Sequence, residues 1–126
     1  MPHYTNVVEE VKSFLQQRAD ACIAGGIDPS RIVLDPGFGF GKTVEHNYSL
    51  IKHLVEFVEM GYPVLVGLSR KSMIGAVLDR SVDERIYGSI ALAALACWSG
   101  VQILRVHDVG ATRDAISVCH TARQAN

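Results

Sequence analysis

Cysteines, basic runs and long apolar stretches are all scarce in this sequence. The three cysteines, Cys22, Cys97 and Cys119, stand far apart with no Cys-x-x-Cys pair, which argues against a disulfide frame or a structural zinc site and predicts reduced, buried thiols. The formal net charge is -1, so no basic patch for nucleic acid is expected. No apolar stretch approaches the roughly 18 residues of a membrane span, and the chain does not open on a signal sequence. We therefore expect a cytoplasmic protein.

The composition is that of an ordinary globular domain, with 126 residues of which 48% are hydrophobic and 20% charged. Within it, the stretch 32–43 reads I-V-L-D-P-G-F-G-F-G-K-T. Three apolar residues run into Asp35 and then into three glycines at alternate positions, which predicts a buried strand followed by a glycine-rich loop. Strand ends of this kind carry the ligand sites of α/β proteins, so Asp35 is the first candidate for a functional side chain.

Two nucleotide-binding motifs fail on this loop. A phosphate-binding P-loop needs a glycine where Pro36 stands, although Gly41, Lys42 and Thr43 match its end. A dinucleotide fingerprint needs Gly-x-Gly-x-x-Gly, and here the third glycine comes one residue early. The spacing therefore disfavours both motifs, and with them an open flavodoxin-like nucleotide binder.

Apolar spacing and helix stop signals predict alternating helices and strands. In chain order these are a helix from Asn6 to Ala24 with Asn6 and Glu9 as a capping box, a turn at 28–30, a strand at 31–34, the glycine loop at 35–42, a helix capped by Thr43 and ended by Gly61, a strand at 64–67, a polar cluster at 68–72, a helix at 73–78, a polar break at 79–83, a small-residue helix at 86–98, a strand at 102–106 and a helix at 111–123. Three strand-helix repeats imply an α/β fold with a parallel sheet and right-handed crossovers.

Each predicted strand ends in a polar or glycine-bearing cluster, and parallel strands end at the same edge of a sheet. That edge should bring together Asp35, the cluster at 69–72, and Arg105 with His107. Arg105 and His107 alternate along one strand and so face the same side, a spacing that suits a phosphate or pyrophosphate. Asp35 can accept paired hydrogen bonds from an amino-pyrimidine edge.

Other side chains near this edge suit an aromatic ligand that carries a carboxylate. Lys71 can donate to a ring oxygen or nitrogen beside Asp35. Ser72 stands at a predicted helix N-terminus, which favours a small anion. Phe38 and Phe40 alternate within the glycine loop, so we expect at least one of them to meet a ligand or a closing loop.

Several of these residues also have a purely structural explanation. Asp35 can be a cap for the glycine loop, Arg70 a surface ion pair and His107 a structural histidine. The residues alone leave these alternatives open. The other four histidines, at positions 3, 46, 53 and 120, are expected to have no functional role.

Three motifs occur in a fixed order, LDPGFGFGK at 34–42, VGLSRKS at 66–72 and RVHD at 105–108. In this order and spacing they closely resemble the dihydropteroate synthase family of folate biosynthesis, and they span nearly the whole chain. The resemblance implies a (β/α)8 TIM-barrel transferase. Such an enzyme condenses 6-hydroxymethyl-7,8-dihydropterin pyrophosphate with 4-aminobenzoate to give 7,8-dihydropteroate, and it releases pyrophosphate with the assistance of Mg2+.

The resemblance also implies roles for the residues at the pterin end of the site. Asp35 would pair with the amino-pyrimidine edge of the pterin, Lys71 would hydrogen-bond the same ring, and Gly67 would lie close to it. Arg105 and His107 would hold the pyrophosphate, with Arg105 also stacking on the pterin. Lys71, Arg105 and His107 are the expected catalytic residues.

At the aminobenzoate end, the resemblance makes Ser72 and the helix start beside it the binding site of the carboxylate. Phe40 and Lys71 would pack along the aminobenzoate ring, and Ser69 counts with them among the substrate-binding residues. Sulfonamide drugs would enter the same place. No covalent nucleophile is required, because loss of pyrophosphate leaves a cationic pterin methylene that the arylamine attacks.

The chain departs from the family in length, because a barrel of this type needs about 250 residues and eight strands and only three strands are predicted here. We therefore expect a partial (β/α)8 barrel, with residues 1–126 forming a single incomplete domain. The Asn that holds Mg2+, two mobile loops and further pterin contacts would belong to the missing first half, so we expect no metal ligand in this chain and no synthase turnover by it alone.

Two further expectations concern partners. In the family the last helices form a homodimer interface, and the small-residue helix at 86–98 matches that use, so we expect a homodimer that covers otherwise open surface. The alternative to an enzyme is a non-catalytic or self-associating fragment that binds a pterin or an anion. Neither reading includes nucleic acid or a membrane.

Overall fold

The structure, a computed structural model, describes residues 3–126. Its elements in chain order are α1 (Val7–Ala24), a 3-10 helix (Pro29–Arg31), α2 (Val44–Lys52), α3 (Leu54–Val58), β1 (Leu65–Gly67), α4 (Ser72–Leu78), a second 3-10 helix (Val82–Glu84), α5 (Ile86–Trp98), β2 (Ile103–Arg105) and α6 (Val109–Gln124). Two of the three predicted strands are present as β1 and β2, each with helices before and after it. Among these residues no helix has the length and apolar character needed to cross a bilayer.

The sheet is parallel, which confirms that its strands end at one edge. The register of β1 on β2 is Leu65↔Ile103, Val66↔Leu104 and Gly67↔Arg105. Leu34 adds a single parallel bridge to Val64. The Val64 C=O accepts from β2 and the next N–H, that of Leu65, donates to Leu34. Because these two groups of one peptide point in opposite directions, Leu34 lies across β1 from β2.

The strand predicted at 31–34 is not formed, because only Leu34 pairs with the sheet. The Asp28 carboxylate accepts from the Ser30 N–H (2.9 Å) and starts a 3-10 helix. The Ile32 N–H still donates back into that helix. These local bonds hold the backbone in a turn up to Ile32 and leave too few residues for a ladder.

The helix predicted from Thr43 onward is also corrected, since it is divided into α2 and α3 at His53 (φ -106°, ψ 20°). Thr43 is the cap as predicted. Its hydroxyl accepts from the His46 N–H (3.1 Å), and His46 Nδ1 accepts in return from the Thr43 N–H (3.1 Å). With the break, Leu54 and Phe57 both lie in the core at 1% and 0% exposure.

The predicted capping box of α1 is half confirmed. Asn6 Oδ1 accepts from the Glu9 N–H (3.2 Å), but the return bond from the Asn6 N–H goes to the Glu10 carboxylate (2.9 Å) and not to Glu9. The helix stops where the glycines predicted, with Gly25 as the C-cap and Gly26 at φ +100°.

The core surrounds β1, where Val64 and Val66 are fully buried. The largest buried side chains around them are Phe38, Phe57, Leu50, Leu54, Met73 and Ile74. α5 packs directly on α4, because the space where Gly88 would carry a Cβ is occupied by the Ile74 side chain. The site described below rests on this layer.

All three cysteines are free thiols, as predicted. Burial is confirmed only for Cys119, because Cys22 and Cys97 are half-buried. Burial raises the pKa of the Cys97 thiol, and a hydrogen bond with Cys119 adds to the shift. Near neutral pH the Cys97 thiol is therefore expected to stay protonated and unreactive.

One ion-pair cluster ties α1 to α3 and predicts how stability depends on pH. Glu56 accepts from Lys12 Nζ (3.1 Å) and lies 2.8 Å from His53 Nδ1. The hydrogen bond from Lys12 is the largest cause that lowers the pKa of Glu56 below its ordinary 4.5. A carboxyl whose pKa is lower in the folded chain than in the unfolded chain stabilises the fold at pH values above its unfolded-state pKa. That stability is lost as the pH falls through the folded-state pKa.

We expect Glu56→Gln to remove this loss of stability at low pH. In urea titrations at several pH values below about 5, the unfolding free energy of the variant should fall less steeply with acid than that of the parent chain. Glu59→Gln, an exposed carboxylate three residues further on, is the control and should follow the parent. If the unfolding free energies of the parent and of Glu56→Gln fall equally steeply with acid, the ion-pair cluster is not the cause of this pH dependence.

Candidate functional site

The ends of β1 and β2 enclose a cavity of about 300 Å³. Its lining, here called the strand-end cavity, consists of Gly67, Ser69, Lys71, Arg105, Val106 and His107. Five of these were predicted from the sequence as site residues. The structure therefore brings together the clusters that follow two strands, as their parallel arrangement required.

Arg105 lies flat on Gly67. A Cβ at Gly67 would stand 2.6 Å from Arg105 Nη2 and 3.1 Å from both Cζ and Nε, so only glycine leaves room for the guanidinium there. The contact follows from the strand register, which pairs Gly67 with Arg105. The guanidinium thus presents a flat, permanently charged face at the sheet edge.

His107 is oriented by Ser69. The Ser69 Oγ accepts from the His107 N–H (3.3 Å) and lies 2.9 Å from His107 Nδ1. Ser69 is 8% exposed, whereas His107 is exposed. With Nδ1 engaged, Nε2 is the ring nitrogen left for a ligand, so Ser69 has a positioning contact that the sequence did not specify.

Lys71 lies across the glycine loop (residues 35–42). Its Nζ donates to the Phe38 C=O (3.1 Å) and stands 4.7 Å from the centroid of the Phe40 ring. Gly39 leaves space for the lysine, since a Cβ there would be 3.6 Å from both Cδ and Nζ. Lys71 therefore belongs to the strand-end cavity and to the glycine loop at once.

The two loop phenylalanines have different environments. Phe38 is 1% exposed and belongs to the core, whereas Phe40 is 68% exposed beside Lys71. The sequence expectation that at least one of them meets a ligand thus applies to Phe40. Phe38 anchors the loop beneath it.

Asp35 follows Leu34 at the same edge of the sheet, but it lines a second cavity and not the strand-end cavity that holds Lys71. This second cavity, about 410 Å³, lies between α1 and the glycine loop. Asp35 Oδ1 accepts from the Gly37 N–H (2.9 Å), so the open alternative of a loop cap is part of its role. Burial lowers the pKa of Lys42, with the charge of Asp35 opposing the shift, and Lys42 Nζ donates to the Gly37 C=O (2.7 Å).

Two more predicted residues stand at the margin of the site. Ser72 is the first residue of α4 and is exposed, which confirms its place at a helix start. The Arg70 guanidinium pairs with Asp108 (2.9 Å), the ion-pair alternative that the sequence left open, and this pairing raises the pKa of Arg70. Arg70 is therefore occupied within the protein.

Sequence reasoning missed Asn47, which holds the glycine loop from below. Asn47 is 3% exposed; its Oδ1 accepts from the Gly39 N–H (2.9 Å) and its Nδ2 donates to the Thr43 C=O (3.0 Å). A signal was available, because Asn47 stands three and four residues before Leu50 and Ile51 on the apolar face of the helix. A polar residue on that face needs a partner inside the protein.

Replacing Asn47 by alanine is expected to lower the free energy of unfolding by about 1–3 kcal/mol, because it leaves the half-buried Gly39 N–H without its partner. The Thr43 C=O loses the Asn47 side chain but still accepts from the Asn47 backbone N–H (3.1 Å). Asn47→Asp keeps the acceptor for the Gly39 N–H, but it puts a carboxylate at a 3% exposed position beside the Thr43 C=O. Chemical denaturation at neutral pH should therefore show a loss of stability for both variants. Equal stability of the alanine variant and the parent would refute this role.

The comparisons with known proteins agree with this geometry. The family model described as "Pterin binding enzyme" matches residues 1–107. The chain belongs to the family of pterin-binding enzymes. A dihydropteroate synthase of Haemophilus influenzae is 55% identical to it over 124 residues, which are 98% of this chain and 45% of that protein. This pterin-binding enzyme chain therefore spans about half the length of the curated relatives it matches.

Solved structures of the same family are close in fold to the chain. The dihydropteroate synthase of Xanthomonas albilineans in complex with 7,8-dihydropteroate superposes with a TM-score of 0.96 at 46% identity, covering 99% of this chain and 48% of that one. The same enzyme has been solved with 4-aminobenzoic acid. The dihydropteroate synthase of Yersinia pestis with a sulfonamide drug gives a TM-score of 0.96 at 42% identity, covering 100% and 46% of the two chains.

Proposed function

We propose that this chain carries one wall of the active site of a dihydropteroate synthase, which condenses 6-hydroxymethyl-7,8-dihydropterin pyrophosphate with 4-aminobenzoate and releases pyrophosphate. The observation that carries the proposal is the strand-end cavity. In it the Arg105 guanidinium lies on Gly67, with Lys71 and the oriented ring of His107 beside it. Three donors of positive or switchable charge around one small cavity suit a pyrophosphate leaving group.

The residues divide the work by chemistry. Arg105 and His107 hold the pyrophosphate and offset the charge that develops as it leaves, which is stabilisation by fixed groups and needs no nucleophile. Arg105 also offers a flat face to the pterin ring, and Lys71 donates to that ring. The exposed carboxylate of Asp35 pairs with the amino-pyrimidine edge, although in this structure Asp35 lines the neighbouring cavity.

The aminobenzoate is proposed to lie beside Phe40. Phe40 is 68% exposed with the Lys71 ammonium at its ring, so an aromatic ligand can pack on both. Ser72, exposed at the start of α4, is proposed to bind the aminobenzoate carboxylate. Sulfonamides would occupy the same place.

We infer that residues 1–126 form a single incomplete domain, a partial (β/α)8 barrel. The described residues form two strands and one bridge, whereas a closed barrel of this type has eight strands. The three free cysteines suit a cytoplasmic protein.

Mg2+ is proposed to be bound outside this chain. Among residues 3–126 no group of three or more His, Cys, Asp and Glu side chains could hold a metal ion, and the strand-end cavity is lined by basic and hydroxyl side chains. Those groups do not fit Mg2+, which prefers carboxylate oxygens and water. No step above is routed through the metal.

We propose a homodimer through α5 and α6. These helices form an apolar groove of about 780 Å³, here called the C-terminal groove. Its lining is Ile90, Ala91, Ala94, Leu95, Trp98, Ala111, Asp114, Ala115, Val118 and Cys119. Within it Leu95 and Trp98 are 52% and 58% exposed, an apolar surface that association would cover.

Leu95→Lys is expected to weaken the dimer about thirtyfold, because it places a charge at the centre of the apolar groove. Tyr87→Lys is the matched control, since Tyr87 lies on the same helix, is 82% exposed and is outside the groove. Sedimentation equilibrium measures both variants. A parent chain that sediments as a monomer and melts cooperatively would refute the dimer.

The second candidate is a pterin- or anion-binding fragment without catalysis, which is favoured by the coverage of only 45% of the Haemophilus relative. Calorimetric titration of the chain with a pterin, with pyrophosphate and with 4-aminobenzoate tests the site itself. We expect pyrophosphate binding that is lost in Arg105→Gln and His107→Gln, and no product formation by the chain alone. Pyrophosphate binding that survives both substitutions contradicts the proposed site. Steady turnover by the chain alone contradicts the proposal that it carries only one wall of the active site.

A further inference from the structure

Lys71 reaches the glycine loop from a strained turn. Residues 68–71 form a four-residue turn in which the Lys71 N–H donates to the Leu68 C=O (3.4 Å). Its third residue, Arg70, has φ +58°, a conformation that glycine adopts readily and other residues rarely do. Lys71 follows in extended conformation (φ -67°, ψ 153°) as the N-cap of α4. The turn at Arg70 therefore sets the direction in which Lys71 leaves β1.

Each polar group of Arg70 has a partner in the structure. Its N–H donates to the Ser89 hydroxyl (2.9 Å) and its C=O accepts from Arg85 Nη1 (3.0 Å). Its guanidinium donates to Asp108 (2.9 Å). Ser89 and Arg85 both belong to the start of α5, where Arg85 is the N-cap. The peptide groups on either side of the strained Cα are thus held by one helix.

Arg85 and Ser89 are themselves fixed before any ligand is present. Ser89 is 6% exposed, and its hydroxyl donates to the Arg85 C=O (2.7 Å). Arg85 Nε donates to the Arg80 C=O (3.1 Å). The Arg85 guanidinium lies against Gly75 of α4, where a Cβ would be 2.5 Å from Nη2. The two residues form a rigid bracket between α4 and α5.

We propose that Arg85 and Ser89 are positioning residues for Lys71, because they hold Arg70 in the left-handed turn that sends Lys71 across Gly39 to Phe40. Neither residue lines the strand-end cavity, so both act through Arg70. The Arg70 side chain extends the effect, since its partner Asp108 directly follows His107. One turn therefore ties the loop after β1 to the loop after β2.

The proposal has two consequences. The expected change in affinity for pterin pyrophosphate rests on the proposed function, whereas the expected change in the position of the Lys71 side chain does not. Two nuclear Overhauser effects report the place directly in the labelled full chain. A strong contact between the amide and α protons of Arg70 marks its positive φ. Contacts between the Lys71 side chain and the Phe40 ring mark the lysine.

Ser89→Ala and Arg85→Met are expected to weaken both sets of contacts while circular dichroism shows the helices retained. Affinity for 6-hydroxymethyl-7,8-dihydropterin pyrophosphate should fall about tenfold, the effect of a misplaced binding group. Contacts between Lys71 and Phe40 that persist unchanged in both variants overturn the proposal. If Arg85→Met does not fold, Ser89→Ala, which removes a single hydroxyl, decides.

The rescue by Arg70→Gly separates positioning from helix packing. Glycine adopts positive φ without strain and so needs no bracket. Added to Ser89→Ala or Arg85→Met, it should restore the contacts between Lys71 and Phe40 and most of the affinity. By itself it should leave those contacts in place. If the rescue fails, Arg85 and Ser89 act only by packing α4 against α5, and the proposal is overturned.

The titration also tells the two proposals apart. A parent chain that shows the Lys71 contacts and loses them in the variants, but binds no pterin, contradicts the proposed function and supports the positioning role. A parent chain that binds the pterin with equal affinity in all variants contradicts the positioning role and supports the function.

Discussion

Phe38→Ala is expected to lower the free energy of unfolding by about 3–5 kcal/mol, the cost of removing a fully buried phenylalanine side chain. Phe38 is 1% exposed beneath the glycine loop. Small domains are stable by only about 5–15 kcal/mol, so this single change removes a large part of the total. Urea denaturation followed by circular dichroism measures the loss.

Phe40→Ala is the matched control, because it makes the same substitution two residues further on in the same loop. Phe40 is 68% exposed, so its loss should change the unfolding free energy by no more than about 0.5 kcal/mol. It should instead weaken 4-aminobenzoate binding by about threefold to tenfold, because the ligand loses an aromatic face. A reversed pattern, with Phe40→Ala unstable and Phe38→Ala neutral, would contradict the roles of Phe38 as the buried anchor of the glycine loop and of Phe40 as a ligand contact.

Gly67→Ala is expected to weaken pyrophosphate and pterin pyrophosphate binding about tenfold while leaving the fold intact. The new Cβ would stand 2.6 Å from Arg105 Nη2, so the guanidinium must leave its place on the sheet edge. Arg105 is exposed and its end is flexible, so the free energy of unfolding should change by less than about 1 kcal/mol. The effect is therefore on the site and not on the core.

Gly110→Ala serves as the control for this substitution, since a Cβ at Gly110 meets nothing within 4 Å. Calorimetric titration of both variants beside the parent chain gives the comparison. If Gly67→Ala binds pyrophosphate as tightly as Gly110→Ala, the flat placement of Arg105 has no part in binding.

The sequence predicted the sheet edge well because its signals there are local. Alternation along one strand places Arg105 and His107 on one face, and the parallel order of strands brings Lys71 beside them. Both inferences need only periodicity and connection rules, and Lys71, Arg105 and His107 all line the strand-end cavity. The bounds of α5 were also predicted without error, because its apolar run is nearly continuous and Gly100 follows it closely.

The sequence could not predict features that depend on contacts between distant residues. The left-handed turn at Arg70 depends on Ser89, nineteen positions away, and nothing in the local sequence marks a strained arginine. The separate cavity of Asp35 depends on how α1 packs against the glycine loop. The lost strand at 31–34 is different, because Asp28 before a proline was a visible turn signal that continued further than expected.

The most direct test of the proposed active-site wall is turnover by a fusion protein. The part of the Haemophilus influenzae dihydropteroate synthase that lies outside its match to this chain, with which it is 55% identical over 124 residues, is joined to residues 1–126, and formation of 7,8-dihydropteroate is measured. We predict steady turnover that falls about 100-fold or more in Arg105→Gln, because a charge-stabilising donor is lost at the leaving group. A fusion that folds and melts like the intact relative, yet forms no product or is indifferent to Arg105→Gln, would contradict the assignment of this wall.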